Sequence, residues 1–116
     1  MVANERDTVI VQANETFQEL ILLDAAKHIK QALVIVNGEE HLFPITKTVI
    51  RDGFFKHYIE LEDEPIGTVE EVRVLNENGV PLGVAYPMYE KGDDGWQMAF
   101  KWKVTIEQKV EDIHVI

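Results

Sequence analysis

Residues 96–106 read Trp96-Gln-Met-Ala-Phe-Lys-Trp-Lys-Val-Thr-Ile106, and this stretch decides the fold. Large apolar residues occupy every second position, and the positions between them are mostly polar and include Lys101 and Lys103. Because successive side chains of a strand point to opposite faces, the pattern predicts a β-strand with one face on a core and the other in water. The residues predicted to face the core are Trp96, Met98, Phe100, Trp102, Val104 and Ile106.

Turn dipeptides divide the chain upstream of this strand into short segments. Asn-Gly and Asp-Gly pairs supply the positive φ angles that tight hairpins need, so between strand-like runs they predict antiparallel hairpins. The pairs are Asn37-Gly38, Asp52-Gly53, Asn78-Gly79 and Asp94-Gly95. The predicted strand pairs are 32–36 with 40–45, 45–51 with 54–61, and 68–75 with 80–86, and residues 88–95 are predicted to form the longest loop.

One helix is predicted before the hairpins. Thr16 and Glu19 have the spacing of a capping box, with Asn14 as a competing cap, and apolar residues recur at helical spacing from Phe17 to Ile29. We therefore expect a helix with a broad buried face. The apolar run 33–36 predicts a central strand covered by this helix on one side and by a second layer on the other.

Length and pattern together predict a single domain over residues 1–116. Residues 1–6 are expected to form a flexible tail, and the run 9–11 is expected to add a strand to a sheet edge. Residues 109–116 are expected to dock on the body or on another chain. The predicted fold class is α+β, with one N-terminal helix on a mostly antiparallel sheet or sandwich of about six to eight strands.

Composition excludes several classes of function. The net charge of -10 disfavours nonspecific binding to nucleic acid, and no segment is long and apolar enough to cross a membrane. Without cysteine or serine, the chain has no disulfide, thiolate site or serine nucleophile. The first residues carry acids and lack the pattern of a signal peptide, so we expect synthesis in the cytoplasm.

No motif in the sequence predicts catalytic, cofactor-binding or metal-binding residues. The four histidines do not cluster, and the glycines are hairpin glycines without a following helix that could hold a phosphate. The acidic segment 60–64 lacks the ligand spacing of a calcium loop. We therefore expect no enzyme and no cofactor, and His57, among apolar neighbours of its strand, is the histidine best placed for a buried role.

Two groups of residues are candidates for binding. Tyr86, Met88, Tyr89 and Trp96 flank a charged segment and are residue types favoured at protein interfaces, so they are predicted to form an interaction surface. Core aromatics at strand ends are the alternative interpretation. A small-ligand pocket between helix and sheet would be lined by Phe17, Phe55 and His57, with Trp96 as a further member.

From Ile45 onward, the order of features resembles the small β-rich domains of tailed-bacteriophage tail and fibre-associated proteins. The resemblance is carried by Ile45-Thr46-Lys47 leading to Asp52-Gly53, by the segment 69–83, and by the final strand segment 100–106. In those proteins a strand, an Asp-Gly or Asn-Gly turn and a second strand precede a loop and a long last strand. The resemblance covers a little over half the chain and assigns no site residues.

These observations predict a non-enzymatic structural or protein-interaction module. The resemblance implies a phage or prophage virion component that binds protein partners, copies of itself included. The alternative is a small-ligand-binding domain, and an enzyme would require His57 near a carboxylate with a strongly shifted pKa.

Overall fold

The computed structural model describes residues 9–11, 14–106 and 108–110, which form one helix and ten strands. The predicted α+β class is confirmed. Residues 1–6 and 111–116, to which the tail predictions mainly refer, lie outside the described residues. The elements are β1 (Val9–Val11), α1 (Glu15–Ala26), β2 (Gln31–Val36), β3 (Glu39–Pro44), β4 (Lys47–Arg51), β5 (Phe54–Leu61), β6 (Gly67–Leu75), β7 (Pro81–Ala85), β8 (Tyr89–Lys91), β9 (Trp96–Lys103) and β10 (Gln108–Val110).

The strands form three antiparallel sheets. A five-stranded sheet has the order β3-β2-β6-β7, and β8 also pairs with β6. A three-stranded sheet has the order β4-β5-β9, and β1 pairs with β10 in a separate two-stranded sheet. The strand predicted at residues 9–11 therefore exists, but its partner is β10 and not an edge of a larger sheet.

The first two predicted hairpins are confirmed, and their turns have the expected geometry. Asn37 and Gly38 have φ angles of 48° and 79°, and Asp52 and Gly53 have φ angles of 39° and 86°. Two successive positive φ angles define a type I′ turn, whose twist matches that of the strands it joins. These turns connect β2 to β3 and β4 to β5.

The third predicted hairpin, β6 with β7, is also confirmed. Its connection is held by the side chain of Asn76, whose Oδ1 accepts hydrogen bonds from the backbone N–H groups of Asn78 and Val80, each at 2.9 Å. An Asn side chain that accepts from the backbone two residues on mimics a turn and stabilises it locally.

The prediction of a continuous loop over residues 88–95 is wrong. Residues Tyr89–Lys91 form β8, which pairs with residues 67–69 of β6. The next strand, β9, pairs with β5 in the other sheet, so Asp94-Gly95 lies in a crossover between sheets and not in a hairpin turn. Local sequence marks a change of direction here, but the pairing partners come from distant parts of the chain.

A hydrophobic core fills the space between the two larger sheets. The predicted alternation of β9 is confirmed: its apolar residues are half-buried against the core, and the residues between them are exposed. The apolar set of β5 is fully buried on the same side. The buried cluster consists of Ala32, Val34, Val36, Val69 and Val72 from the five-stranded sheet and Ile59 and Leu61 from β5, with Trp96, Met98 and Phe100 packed against it.

Asn14, and not the Thr16–Glu19 capping box, begins the helix. The Oδ1 atom of Asn14 accepts a hydrogen bond from the Phe17 N–H at 2.9 Å, and the helix starts at Glu15. The helix ends at Ala26, so the prediction that it continues to Ile29 is wrong by about one turn. The competing cap wins because its side chain satisfies a first-turn N–H directly.

Helix α1 packs against β4 and β5 and does not cover β2. Its buried residues Leu22 and Ala26, with Ile29 just beyond it, contact a second core cluster that includes Phe55 and Val74. The predicted broad buried face is therefore a narrow strip. The outer face of β2 has no covering layer among the described residues, and its Leu33 and Ile35 remain partly exposed.

We predict that Trp102→Ala destabilises the fold by about 3 kcal/mol, as removal of a core indole does. The Trp102 ring stacks on Phe55 with centroids 6.1 Å apart and packs on Gly83 of β7. The measurement is urea unfolding. The control is Lys103→Ala on the exposed face of the same strand, which should change stability by less than about 0.5 kcal/mol; equal effects of the two substitutions would contradict the orientation of β9.

We also predict that Asn14→Ala destabilises by about 1 kcal/mol, whereas Thr16→Ala has a much smaller effect. The reason is that only the Asn14 side chain accepts the first-turn hydrogen bond described above. Thermal unfolding followed by far-ultraviolet circular dichroism measures the loss of stability in each variant. A larger loss in Thr16→Ala than in Asn14→Ala would show that Thr16 caps the helix.

Candidate functional site

Three of the four residues predicted to form an interaction surface, Tyr86, Tyr89 and Trp96, line one hollow near the ends of β7, β8 and β9, and Met88 is exposed in the chain between Tyr86 and Tyr89. We call Tyr86, Met88, Tyr89 and Trp96 the aromatic patch. Tyr86, Met88 and Tyr89 are 68%, 64% and 47% exposed. Tyr89 stacks on Trp96 with ring centroids 4.6 Å apart and an interplanar angle of 10°. The patch therefore combines exposed apolar surface with a pair of rings whose geometry is already set.

A surface hollow of about 440 Å³ lies within the aromatic patch. Tyr86, Tyr89 and Trp96 line it together with side chains of the adjoining strands. Apolar hollows with aromatic walls are typical receptors for the anchor side chains of a protein partner. The remaining lining residues are Ala85, Pro87, Met98, Ala99 and Phe100.

A second hollow, of about 200 Å³, continues along the molecule from the first, because Ala85 and Phe100 line both. We call it the trough. It lies between β7, an edge of the five-stranded sheet, and β9, an edge of the three-stranded sheet. Its floor includes the core residues Val72 and Val74, so the sandwich is incompletely closed along this seam.

The trough exists because β7 places its smallest residues over the aromatic row of β9. Gly83 and Ala85 pair with the buried Val74 and Val72, so they lie on the side of the strand that lines the trough, where Gly83 is half-buried and Ala85 stays exposed. A methyl group at Gly83 would clash with the Trp102 ring. Sequence reasoning did not identify Gly83 and Ala85 as site residues, although the alternation of small residues with Leu82 and Val84 was a usable signal.

Lys91 belongs to the charged segment expected to surround the patch, but it is buried. It pairs with Gly67, and its Nζ donates a hydrogen bond to the Gly92 carbonyl at 3.1 Å. The lysine stem covers apolar surface while the ammonium group bonds to the backbone. The exposed charges beside the patch are Glu90, Asp93 and Asp94.

The three residues predicted to line a ligand pocket do not share a surface. Phe17 lies on the exposed side of α1, whereas Phe55 and His57 are buried. The rings of Phe55 and His57 meet edge to face with centroids 5.4 Å apart. Both are packing residues of the core between β5 and α1, and neither has solvent-facing surface to offer a ligand.

His57 is a structural link between β5 and the helix. Its Nε2 lies 2.8 Å from the Ala26 carbonyl oxygen, and since a carbonyl only accepts, the Nε2–H donates. Nδ1 is then unprotonated, and it is buried without a hydrogen-bond partner. Burial lowers the pKa of His57 below its ordinary 6.5, and the bond to Ala26 opposes this only in part.

The two other histidines that the structure describes, His28 and His41, lie far apart in the chain and each faces a single carboxylate. The Nε2 atom of His28, just after the end of α1, lies 3.5 Å from the Asp24 carboxylate, and the Nε2 atom of His41 on β3 lies 4.0 Å from the Glu39 carboxylate. His114 is outside the described residues. Within the described residues, no group of three or more His, Asp or Glu side chains could hold a metal ion.

A cleft of about 540 Å³ does lie between the helix and a sheet, at α1 and the β4–β5 turn, but none of the residues predicted to line the pocket lines this cleft. Its volume falls within the usual range of small-molecule sites. The walls mix apolar and charged groups, with Leu22 and Ile50 beside Arg51, Asp52 and the Glu15 and Glu19 side chains of the helix.

In the part of the chain that the structure describes, no helix has the length and apolar character needed to span a bilayer. The chain matches no protein-family model, no curated protein and no solved structure.

We predict that acidification destabilises the protein through His57. Its pKa is lower in the folded state, so the unfolded chain binds the proton more readily, and stability is lost as pH falls through 6.5. The urea concentration at the unfolding midpoint should therefore decrease when the pH is lowered from about 7.5 to about 5.5. The decrease should be smaller in His57→Gln, because the glutamine amide can donate to the Ala26 carbonyl but does not titrate.

The matched control is His28→Gln, at an exposed position just after the end of α1, and the prediction requires its dependence of stability on pH to differ from that of His57→Gln. A His57→Gln variant with an unchanged slope would show that His57 is not the group responsible.

Proposed function

We propose that the protein is a non-enzymatic structural module of a phage or prophage tail that works by binding other proteins. The observation that carries the proposal is the aromatic patch. Tyr, Trp and Met are enriched at interface centres, and exposed contiguous apolar surface of this kind typically marks an interaction site.

The geometry of the patch suits a protein partner. The stacked Tyr89 and Trp96 rings are held before binding, which reduces the entropy lost when a partner docks. Tyr86 lines the same hollow, and Met88, next to Tyr89 in the chain, is exposed and has a side chain that adapts to irregular surfaces. The hollow within the patch supplies a recess for an apolar anchor.

The location of the titratable groups favours a binding role over catalysis. His57, the histidine most suited to chemistry, is buried and bonded to the Ala26 carbonyl and not to a carboxylate. Its buried position serves the packing of the helix on β5.

The virion assignment is supported by the resemblance of residues 45–107 to tail and fibre-associated proteins of tailed phages. Proteins of that class associate with copies of themselves and with neighbouring tail proteins. The proposed partners of this chain are therefore other proteins of the same particle.

A small-ligand-binding domain is the second candidate, favoured by the cleft between α1 and the β4–β5 turn. A thermal-shift screen tests it. Stabilisation by one chemical class, reduced in Arg51→Ala, would favour this candidate over the first.

We predict that Tyr86→Ala/Met88→Ala weakens association by more than about tenfold, equivalent to 1.4 kcal/mol, because interface aromatics carry much of the binding energy. Native mass spectrometry at tens of micromolar measures self-association of the protein alone. The same measurement on mixtures with purified proteins of the same tail measures binding to them. The control is Leu20→Ala, since Leu20 is an exposed apolar residue on α1, away from the patch. A wild-type chain that stays monomeric and binds none of the tail proteins would refute the proposal.

A further inference from the structure

Among the described strands, β7 is the one edge of the two larger sheets that carries no charged residue. Its sequence is Pro81-Leu-Gly-Val-Ala85. Charged residues on edge strands prevent sheets from pairing edge to edge, and an uncharged edge lacks this protection. The other edge strands carry Glu39 and Glu40 on β3, Lys47 and Arg51 on β4, Glu90 and Lys91 on β8, and Lys101 and Lys103 on β9.

The backbone of β7 offers hydrogen-bonding groups to a further strand. Within the described part of the chain, β7 pairs with β6 along one side only. The pairing of β7 with β6 is regular from Gly83 to Ala85, where alternate residues direct their N–H and C=O groups to opposite sides, and the register shifts at Leu82. Part of the β7 backbone therefore faces away from β6. Pro81 lacks an N–H but stands at the first position, where an edge strand tolerates it.

The side chains of β7 add apolar surface on the outer face of the sheet. Leu82 and Val84 are 43% and 48% exposed. Val84 is in register with Arg73, which is in register with Leu33, and Leu33 with Leu42. A partner strand beside β7 would extend this row and bury part of Leu82 and Val84.

We propose that β7 pairs antiparallel with β7 of a second copy, which joins two five-stranded sheets into one continuous sheet. This inference rests on the proposed function and names both the partner and the mode of contact. The two copies would be related by a two-fold axis, so the same residues would meet from both sides.

The uncharged edge of β7 is complementary to itself, which is the reason for choosing a second copy as the occupant. Each copy has a net charge of -10, so two copies repel overall, and a joint between uncharged strands adds no like charges to this repulsion. A full-length two-fold pairing of β4 would place Lys47 opposite Arg51, and like charges directly opposite each other destabilise a strand pair. A joint through β3 or β9 would bring the charged residues of that strand into the contact. β8 is only three residues long, and its Lys91 is buried. The same pairing of β7 opposes no charges.

The joint would include the aromatic patch and the trough. Tyr86 and Met88 follow β7, so in an antiparallel pair centred on Gly83 they lie beside the residues that precede the partner's β7. The trough runs along β7 and would be covered at the same time. The hydrophobic burial then adds to the backbone hydrogen bonds of the new strand pair.

Two charge variants with a neutral control test the pairing. We predict that Leu82→Lys/Val84→Lys and Leu82→Glu/Val84→Glu each remain monomeric, because like charges face each other across the two-fold axis. An equimolar mixture should recover a one-to-one heterodimer, because opposite charges then face each other. Leu82→Thr/Val84→Thr removes apolar surface without adding charge and should weaken the dimer less than either charge variant.

Sedimentation velocity gives the oligomeric state, and native mass spectrometry of the mixture identifies the heterodimer by mass. Circular dichroism must show that each variant is folded. We expect folding to be retained because Leu82 and Val84 are both exposed. As an independent readout, hydrogen exchange of the wild-type β7 amides should slow as concentration rises, because the dimer protects them.

Failure of the β7 joint and failure of the proposed function give different results. A lysine variant that still dimerises, or a mixture that stays monomeric, overturns β7 pairing. If dimerisation survives the charge variants but is lost in Tyr86→Ala/Met88→Ala, the interaction module stands and the β7 joint falls. A wild-type chain that is monomeric but binds another tail protein likewise overturns the joint and leaves the interaction module standing. Recovery of the heterodimer with slowed β7 exchange supports the joint.

Discussion

The packing of the β9 aromatic row across the space between the two larger sheets is the interaction on which the rest of the structure depends. Phe100 belongs to the margin of both core clusters, so it connects the packing between the sheets with the packing under the helix. Trp102 extends the row to Phe55 on one side and Gly83 on the other. Dispersion and burial at these rings hold together sheets that share no hydrogen bonds.

The same packing produces the candidate site. The indole of Trp102 occupies the space beside Gly83, so a side chain at position 83 would clash with it, and the residue that follows on the same side of the strand is the small Ala85. The seam between β7 and β9 stays partly open, and the larger apolar side chains of β7 point to solvent. A requirement of the core thus leaves an uncharged, apolar edge at the surface, next to the aromatic patch.

Much of the fold and half of the site were predictable from local sequence. Two-residue periodicity identified β9, and the turns at Asn37-Gly38 and Asp52-Gly53 identified two hairpins, because both signals act within a few residues. The members of the aromatic patch were predicted from residue type and position. The lining of the ligand cleft was not predicted. Phe17 and His57 both have apolar neighbours in the sequence, but Phe17 lies on the exposed side of the helix and His57 lies in the core.

By itself, the sequence determined where most of the strands and the hairpin turns occur, that one helix precedes the hairpins, and that the chain combines a charge of -10 with a core free of cysteine. These properties follow from side-chain alternation, backbone preferences and composition. Only the tertiary structure decided that β8 and β9 join different sheets, that Lys91 turns inward, and that β7 faces an open seam. Such features depend on which distant strands pair and how the volumes of Trp102 and Gly83 fit, and a local pattern does not contain that information.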